Sequence, residues 1–366
     1  MIKVSLTNEI LKYIIEIEKN RYIVSETSIS YAIANKLRKN SKKRSSYAST
    51  KIEGNPLSEK QVDEVIDSDE RKHFLRPEQE VRNYFLALNY LEKKVEKKEK
   101  FSKELILDVQ KLVEKGASKD KIGLRGPMPP GVLFAVYDSQ SGHPDYIPPE
   151  YMDVPNLLDE LVDYVNTTDD HPLLIAAVVH YQLVTIHPFE DGNGRTARLL
   201  SGYILDLYGY GFNGIGSLEE YFAYDIEEYY ASIQMNLPAL YYSGRNTPPH
   251  PEIWICYFLR MVLLYSNKVK ELSKSSNEKG LEGSLSYLKN KEKELLLFLL
   301  NNNKRDFTPI EVSKELNVSN KTIINRLATL VKNGFVSPNL VNQRIRSYTV
   351  TDYTKQHEKE IKKLIN

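Results

Sequence analysis

One cysteine, Cys256, among 366 residues excludes an internal disulfide framework and any multi-thiolate metal centre within the chain. A reducing, cytoplasmic setting is the corresponding expectation. No stretch approaches the roughly 18 unbroken apolar residues that a membrane span requires, and the opening MIKVSLTNEILKYIIEIEKN lacks a signal-type apolar core. Charge of one sign is also missing: the formal net charge is +1, which gives no global pull toward nucleic acid or anionic lipid. There is no Gly-Lys-Ser/Thr and no strand leading into a glycine-rich turn, so neither a P-loop nor a dinucleotide fold is supported. His180 and His187 lack i, i+4 spacing and a third ligand, which removes the simplest zinc site.

What remains is a chain with 41% apolar and 27% charged residues, the balance of a globular, helix-rich protein long enough for two or three domains. Its 25 tyrosines read as core and interface filler. The neutral total conceals an asymmetry. From residue 301 onward twelve Lys or Arg stand against six Asp or Glu, a bias that suits a polyanionic partner.

Residues 1–100 read as helices with polar joints. SSYASTKIE ends at Gly54-Asn55-Pro56, a helix stop that defines a short helix at about 45–54. Ser58 and Gln61 have capping-box spacing and open the next helix, while residues 92–104 are a charge-dense solvated face or joint. The Gly- and Pro-rich region 116–149 breaks the helical pattern. Within it VLFAVYD and DYI flank SQSGHP as a hairpin at about 131–148, expected to lie on a helical body. HPLLIAAVVHYQLVTI is apolar on nearly all sides and reads as a buried central helix. Residues 101–245 then form one core, 246–288 a helical linker and 289–366 a separate domain. In that last domain a helix, a tight turn and a second helix precede FVSPNL and RIRSYTVTDY, two β-prone stretches, in a pattern that resembles a winged helix.

Residues 187–198, HPFEDGNGRTAR, carry the densest chemistry. Gly192-Asn193-Gly194 separates the buried helix from an amphipathic one, and two glycines let backbone N–H groups converge at a helix start, a ready anion site. Arg195 and Arg198 lie three apart in that first turn, where the helix dipole prefers acidic residues, so a phosphate-bearing ligand between them is expected. Asp191 is either an N-cap or a lone carboxylate of the kind Mg²⁺ uses beside phosphates. His187, at the end of a helix, is positioned to accept a proton from a hydroxyl, whereas His180 reads as structural.

HPFEDGNGRTAR resembles the signature of the Fic (Fido) family, His-x-Phe-x-Asp/Glu-Gly-Asn-Gly-Arg-x-x-Arg, and all eight fixed positions match. The resemblance implies a mainly α fold: a Fic-type helical core with a small β-hairpin flap and a C-terminal winged helix-turn-helix domain. It also implies transfer of AMP from ATP to a hydroxyl side chain of a target protein. His187 would then be the general base, and Asp191 would hold Mg²⁺. Gly192, Asn193 and Gly194 would cradle the phosphates with help from Arg195, Arg198 would grip the γ-phosphate, and Phe189 would be a buried anchor. Tyr230 would pack on adenine, with Ile233 one turn on, and the flap would bind the target by strand addition.

Ser49-x-x-x-Glu53-Gly54 matches the family's inhibitory pattern, so Glu53 would pair with Arg198 and occupy its phosphate-binding face. Three alternatives stay open at this point: the same site removing AMP, a different nucleotide as donor, or a winged-helix DNA-binding regulator with a secondary Fic core. In that last case Lys321, Arg326, Arg344 and Arg346 would face phosphates. A homodimer, and DNA or protein contact through the winged helix, are the remaining partners the resemblance suggests, with no membrane.

Overall fold

Apolar residues at helical spacing dominate the chain, and the elements follow them. The computed structural model describes residues 2–27, 29, 31–68, 73–118, 122–137, 144–242, 244–302, 306–341 and 344–365. The chain forms two compact units, one of Met1–Tyr22 with Lys39–Lys268 and the other of Ile23–Arg38 with Val269–Asn366. This division differs from the expected boundaries near 100, 245 and 288. A 35-residue helix, Glu252–Ser286, runs through the expected linker, and the unit boundary falls inside it.

The early helices are α1 (Asn8–Glu26), α2 (Tyr31–Ile52), α3 (Glu59–Asp67), α4 (Arg76–Glu96) and α5 (Lys103–Glu114). A two-stranded ribbon follows, β1 (Val136–Tyr137) and β2 (Pro144–Tyr146), then α6 (Val154–Thr167), α7 (Pro172–Ile186) and α8 (Asn193–Leu207). Two short helices, α9 (Glu219–Tyr224) and α10 (Ile226–Gln234), lead into α11, the long helix Glu252–Ser286. The helix expected at about 45–54 is the end of the 22-residue α2. The flap is shorter than the hairpin pattern suggested, and most of its turn, 138–143, lies outside the described residues.

α7 is the axis of the first unit. Pro172 occupies its first turn, where a missing N–H costs nothing, and His171 Nδ1 accepts from Leu173 N at 3.3 Å to cap it. Thirteen of its fifteen residues are buried, as an all-round apolar helix requires. Trp254 of α11 is fully buried and its indole N–H donates to the Ala177 carbonyl at 2.8 Å, so even the polar edge of that ring is satisfied. α8 packs along α7 and also meets α4 and α5, which fixes the loop between α7 and α8 from three sides.

The second unit holds α12 (Asn290–Asn301), β3 (Asp306–Phe307), α13 (Pro309–Leu316), α14 (Asn320–Lys332), β4 (Val336–Val341), β5 (Arg344–Val350), α15 (Asp352–Gln356) and α16 (Glu358–Ile365). Thr308 and Glu311 form a capping box at α13, and Asn317 takes the left-handed conformation that turns the chain into α14. The sheet is antiparallel in the order β3-β5-β4. β3 escaped the sequence pattern because two residues carry no periodicity. The TDY that ends the second β-prone stretch instead starts α15, with the Thr351 side chain as its cap.

Trp254→Ala should lower the unfolding free energy by about 3–5 kcal/mol, the usual range for a fully buried large aromatic. A urea titration followed by circular dichroism measures this, and a loss below 1 kcal/mol would contradict the central role of the α7–α11 contact.

Candidate active site

The end of α2 is built by its sequence. Gly54 has φ of +81°, its N–H bonds to the Lys51 carbonyl at 2.9 Å, and the Asn55 N–H bonds to the Thr50 carbonyl at 3.0 Å. This pair of bonds is a Schellman ending, which favours glycine because the left-handed position penalises a Cβ. Asn55 anchors the turn by donating to the Pro77 carbonyl and to Glu80 at 2.9 and 3.0 Å. Glu53 is therefore the last residue before the turn, one helical turn beyond Ser49, and both address Arg198.

Arg198 is 2% exposed and spends its donors on few groups. Nε donates to Ser49 Oγ at 2.8 Å, and Nη2 donates to the Ser49 carbonyl at 3.1 Å and to Glu53 Oε1 at 2.6 Å. Nη1 donates to the Tyr229 hydroxyl at 3.4 Å. Burial works against the guanidinium charge, but Glu53 and the oxygens of Tyr229 and Tyr84 more than offset it and hold the group protonated. Glu53 also faces the start of α8: a Cβ on Gly194 would collide with Glu53 Oε1 and would lie 3.2 Å from Arg198 Nη1. The carboxylate thus sits where a helix N-terminus and an arginine converge, the seat an anion would take.

His187 ends α7 in the left-handed region, φ 50° and ψ 58°, a conformation uncommon outside glycine that is held here by its neighbours. Arg125 Nε donates to the His187 carbonyl at 2.8 Å, and the Arg125 N–H donates to the Pro188 carbonyl at 2.9 Å. Arg125 also donates to the Pro149 carbonyl and stacks over Phe134, so it ties the loop to the flap region. His187 Nδ1 lies 3.2 Å from the Val184 carbonyl, which can only accept, so Nδ1 carries the proton and Nε2 is the basic nitrogen. Desolvation lowers its pKa to about 4, with Arg125 adding to the effect and Val184, Glu53 and Asp191 opposing it. The imidazole is neutral at physiological pH.

The rest of the loop is braced internally. Phe189 is fully buried, and the Asn193 side chain accepts from Phe189 N at 3.0 Å and donates to its carbonyl at 2.9 Å. Asp191 is not a conventional N-cap. Its Oδ1 accepts from Gly192 N at 2.8 Å and from Arg195 Nη2 at 3.1 Å, and Oδ2 accepts from Arg76 at 3.3 Å. Arg195 Nη2 also lies 2.8 Å from Glu114 Oε1, with both side chains buried. Burial raises the Glu114 carboxyl pKa and Arg195 draws it down. Gly192 has φ of +82°, and a Cβ there would meet Glu114 Oε1 at 2.8 Å, so both conformation and space demand glycine.

A cavity of about 590 Å³ joins these pieces and falls within the usual size range for a small-molecule site. His187, Gly194, Arg198 and Glu53 line it, together with Tyr230, Ile233 and the flap residues Val136 and Tyr146. Tyr230 is 44% exposed and its ring leans on Tyr229 at 5.1 Å, so it presents a face rather than filling core. Ser49, Asp191, Gly192, Asn193 and Arg195 are not among the lining residues; Ser49 orients one of them, Arg198, and the other four brace the loop.

Comparison with known proteins follows this geometry. Residues 100–205 match the Fic/DOC family. This chain carries a Fic domain. Over 69 residues it is 45% identical to the protein adenylyltransferase Fic of Nematostella vectensis, covering 18% of this chain and 16% of that one. Over 171 residues it is 30% identical to the protein of the same name from Drosophila grimshawi, covering 45% and 33%. The chain therefore spans about a third or less of these relatives. A Fic family protein from Desulfovibrio desulfuricans shares the fold with a TM-score of 0.59 at 22% identity, covering 96% of this chain and 98% of that one. A fragment of Fic-1 from C. elegans superposes with a TM-score of 0.56 at 24% identity, covering 74% and 73%.

Three supports of the Fic domain lie outside its linear motif and were not anticipated: Arg125 behind His187, Glu114 behind Arg195, and the pairing of 239–241 with the flap. In that pairing the Ile147 N–H donates to the Ala239 carbonyl and the Tyr241 N–H to the Ile147 carbonyl, both at 2.9 Å. A weak signal was present for the first two, since each is an ionisable residue beside an apolar or Gly-Pro segment. Gly194→Ala should push the flexible Glu53 carboxylate off Arg198 and destabilise the fold by about 1.5–3 kcal/mol, the worth of a charge-assisted pair. In a Glu53→Gly background the same substitution should cost less than half as much. Equal losses in the two backgrounds, measured by thermal unfolding, would contradict this placement.

Proposed function

We propose that the Fic domain is a protein adenylyltransferase that transfers AMP from ATP to a hydroxyl of a target protein and is held off by Glu53. The observation that carries this reading is the shared cavity, in which a neutral histidine faces a seat for anionic oxygen that the chain fills with its own carboxylate. His187 Nε2 takes the hydroxyl proton, the oxygen bonds to the α-phosphorus, and the bond from that phosphorus to the bridging oxygen breaks with departure of pyrophosphate. The start of α8 and Arg198 hold the β and γ oxygens, where negative charge grows as the leaving group departs. Tyr230 and Ile233 supply an apolar face for the base.

Asp191 fits one role further. A single carboxylate, oriented by Arg195 and Arg76, is what Mg²⁺ takes from a protein when phosphates and water complete its shell. Among the described residues no cluster of three carboxylate, histidine or cysteine side chains offers a fuller cage. Bound there, the ion would neutralise phosphate charge.

The flap supports strand addition by the target. Segment 239–241 pairs with Ile147, the residue just after β2, and among the described residues β1 pairs only with β2, which leaves β1 as the edge for an incoming segment. Main-chain pairing of this kind presents a hydroxyl with little demand on neighbouring side chains. A second reading rests on the partly exposed Glu53 carboxylate in the same cavity, which could orient water to remove AMP from a modified target. For the second unit, α13, α14 and the β3-β5-β4 sheet support the winged-helix reading, with exposed Lys321 and Arg346 as its candidate contacts. No described helix is long and apolar enough to cross a membrane.

Glu53→Gly should raise self-labelling from α-³²P-ATP at least tenfold, and His187→Ala in that background should abolish it. Equal labelling of wild type and Glu53→Gly would remove the brake from this account. Because the pKa of His187 is lowered to about 4, its basic form persists well below the ordinary imidazole range. In Glu53→Gly, kcat/KM should therefore stay within twofold from pH 7.5 to 5.5. A half-maximal loss near pH 6.5 would show that the base is not the desolvated imidazole.

A further inference from the structure

Behind Arg198 lies a closed chain of buried groups that the transfer reaction does not itself use. Tyr229 Oη is 2.8 Å from His180 Nε2, His180 Nδ1 is 3.2 Å from Ser201 Oγ, and Ser201 Oγ is 3.0 Å from the Arg198 carbonyl. Arg198 Nη1 closes the ring on Tyr229 Oη at 3.4 Å. His180, Ser201 and Tyr229 are each no more than 1% exposed. His180 is ringed by Phe222, Tyr229, Trp254 and Phe258, with centroids 5.0–6.0 Å away.

Proton counting fixes the direction of every bond. Arginine only donates, so Tyr229 Oη accepts from Nη1, and the acceptor its own proton meets in this chain is His180 Nε2. His180 Nδ1 must then carry the ring proton and give it to Ser201 Oγ, whose hydrogen goes to the Arg198 carbonyl. The opposite tautomer would strand the Tyr229 hydroxyl proton against a guanidinium, a costly arrangement for a buried hydroxyl. Burial and the nearby Arg198 charge both keep His180 from protonating, so this one arrangement persists.

Nη1 is also the Arg198 nitrogen that faces the start of α8, 3.2 Å from where a Gly194 Cβ would stand, while Nη2 holds Glu53. We propose that His180 is a positioning residue: through the Tyr229 hydroxyl it fixes the Arg198 guanidinium in the orientation that grips the γ-phosphate once Glu53 has withdrawn. This rests on the reading of Arg198 as the γ-phosphate clamp. With Glu53 seated, Nη2 is held from the α2 side and the guanidinium is over-determined. With Glu53 gone, Ser49 still holds Nε and Nη2, and the Tyr229–His180 pair supplies the hydrogen bond on Nη1, the nitrogen over the start of α8.

The discriminating measurement is the ratio of ATP to ADP affinity, because only ATP carries the phosphate that Arg198 would hold. In a Glu53→Gly background, isothermal titration with ATP and with ADP, each with Mg²⁺, is compared for the parent, Tyr229→Phe and His180→Phe. Tyr229→Phe deletes one buried hydroxyl and keeps the ring, so it tests the idea even if His180→Phe fails to fold. Expected is a fall of about five- to tenfold in ATP affinity, the worth of one ordinary hydrogen bond, with ADP affinity changed less than twofold. The double variant should lose no more than either single variant, since both break the same chain. A parent that prefers ATP, together with variants that keep its ratio or lose both nucleotides equally, overturns the role of His180 alone. A parent with no preference for ATP overturns the γ-phosphate reading of Arg198 and this inference with it.

Discussion

A buried guanidinium is the constraint around which this Fic domain is arranged. Arg198 sits in the first turns of α8, where the helix dipole disfavours a cation, and it is removed from water. Such a charge is tolerable only if several acceptors meet it with good geometry. Ser49 supplies two, Glu53 supplies a charged one, and Tyr229 supplies the fourth. The end of α2, the start of α8 and the α10 helix are therefore coupled through one side chain. Ser49 and Glu53 at the end of α2 place oxygens on Nε and Nη2, and Tyr229 of α10 places one on Nη1.

The loop between α7 and α8 shows why its residues come as a set. His187 can leave α7 in a left-handed conformation because Arg125 grips its carbonyl and that of Pro188. Asn193 folds back on Phe189, and Phe189 is anchored in the core, so the loop cannot swing. The two glycines answer two different crowding problems: at 192 the neighbour is Glu114, and at 194 it is Glu53. One approach is permanent structure. The other is a carboxylate on a side chain still partly open to the cavity.

Much of this was legible in sequence because it is local. HPFEDGNGRTAR lies on a single helix end, loop and helix start, so spacing alone reported which groups converge. Ser49 and Glu53 were legible for the same reason, being one turn apart before a Gly-Asn-Pro stop. Their partner was legible only through family resemblance, since 145 residues separate Glu53 from Arg198. Glu114, Arg125 and the hydrogen bond between His180 and Tyr229 were missed because each acts through contacts between distant elements, which no periodicity encodes. His180 in particular looked like an ordinary core histidine. It is buried as such a residue would be, but both its nitrogens are committed to a chain that returns to Arg198. The helical linker expected at 246–288 is helical, Glu252–Ser286, and what its periodicity did not encode is that the unit boundary falls inside it.

The Schellman ending of α2 makes Glu53 a tethered ligand rather than a lid. If Glu53 is the proposed brake, its concentration at the anion seat does not depend on how much protein is present, only on how firmly the last turn of α2 is wound, and its occupancy would be a folding equilibrium of a few residues. If the Arg198 pair is worth about 1.5–3 kcal/mol, unwinding that turn shifts the apparent affinity of any competing anion by roughly ten- to 150-fold. A partner could impose that shift without entering the cavity at all. Asn55, bound to Pro77 and Glu80 on the outer side of the turn, is the point where such a pull would be felt first.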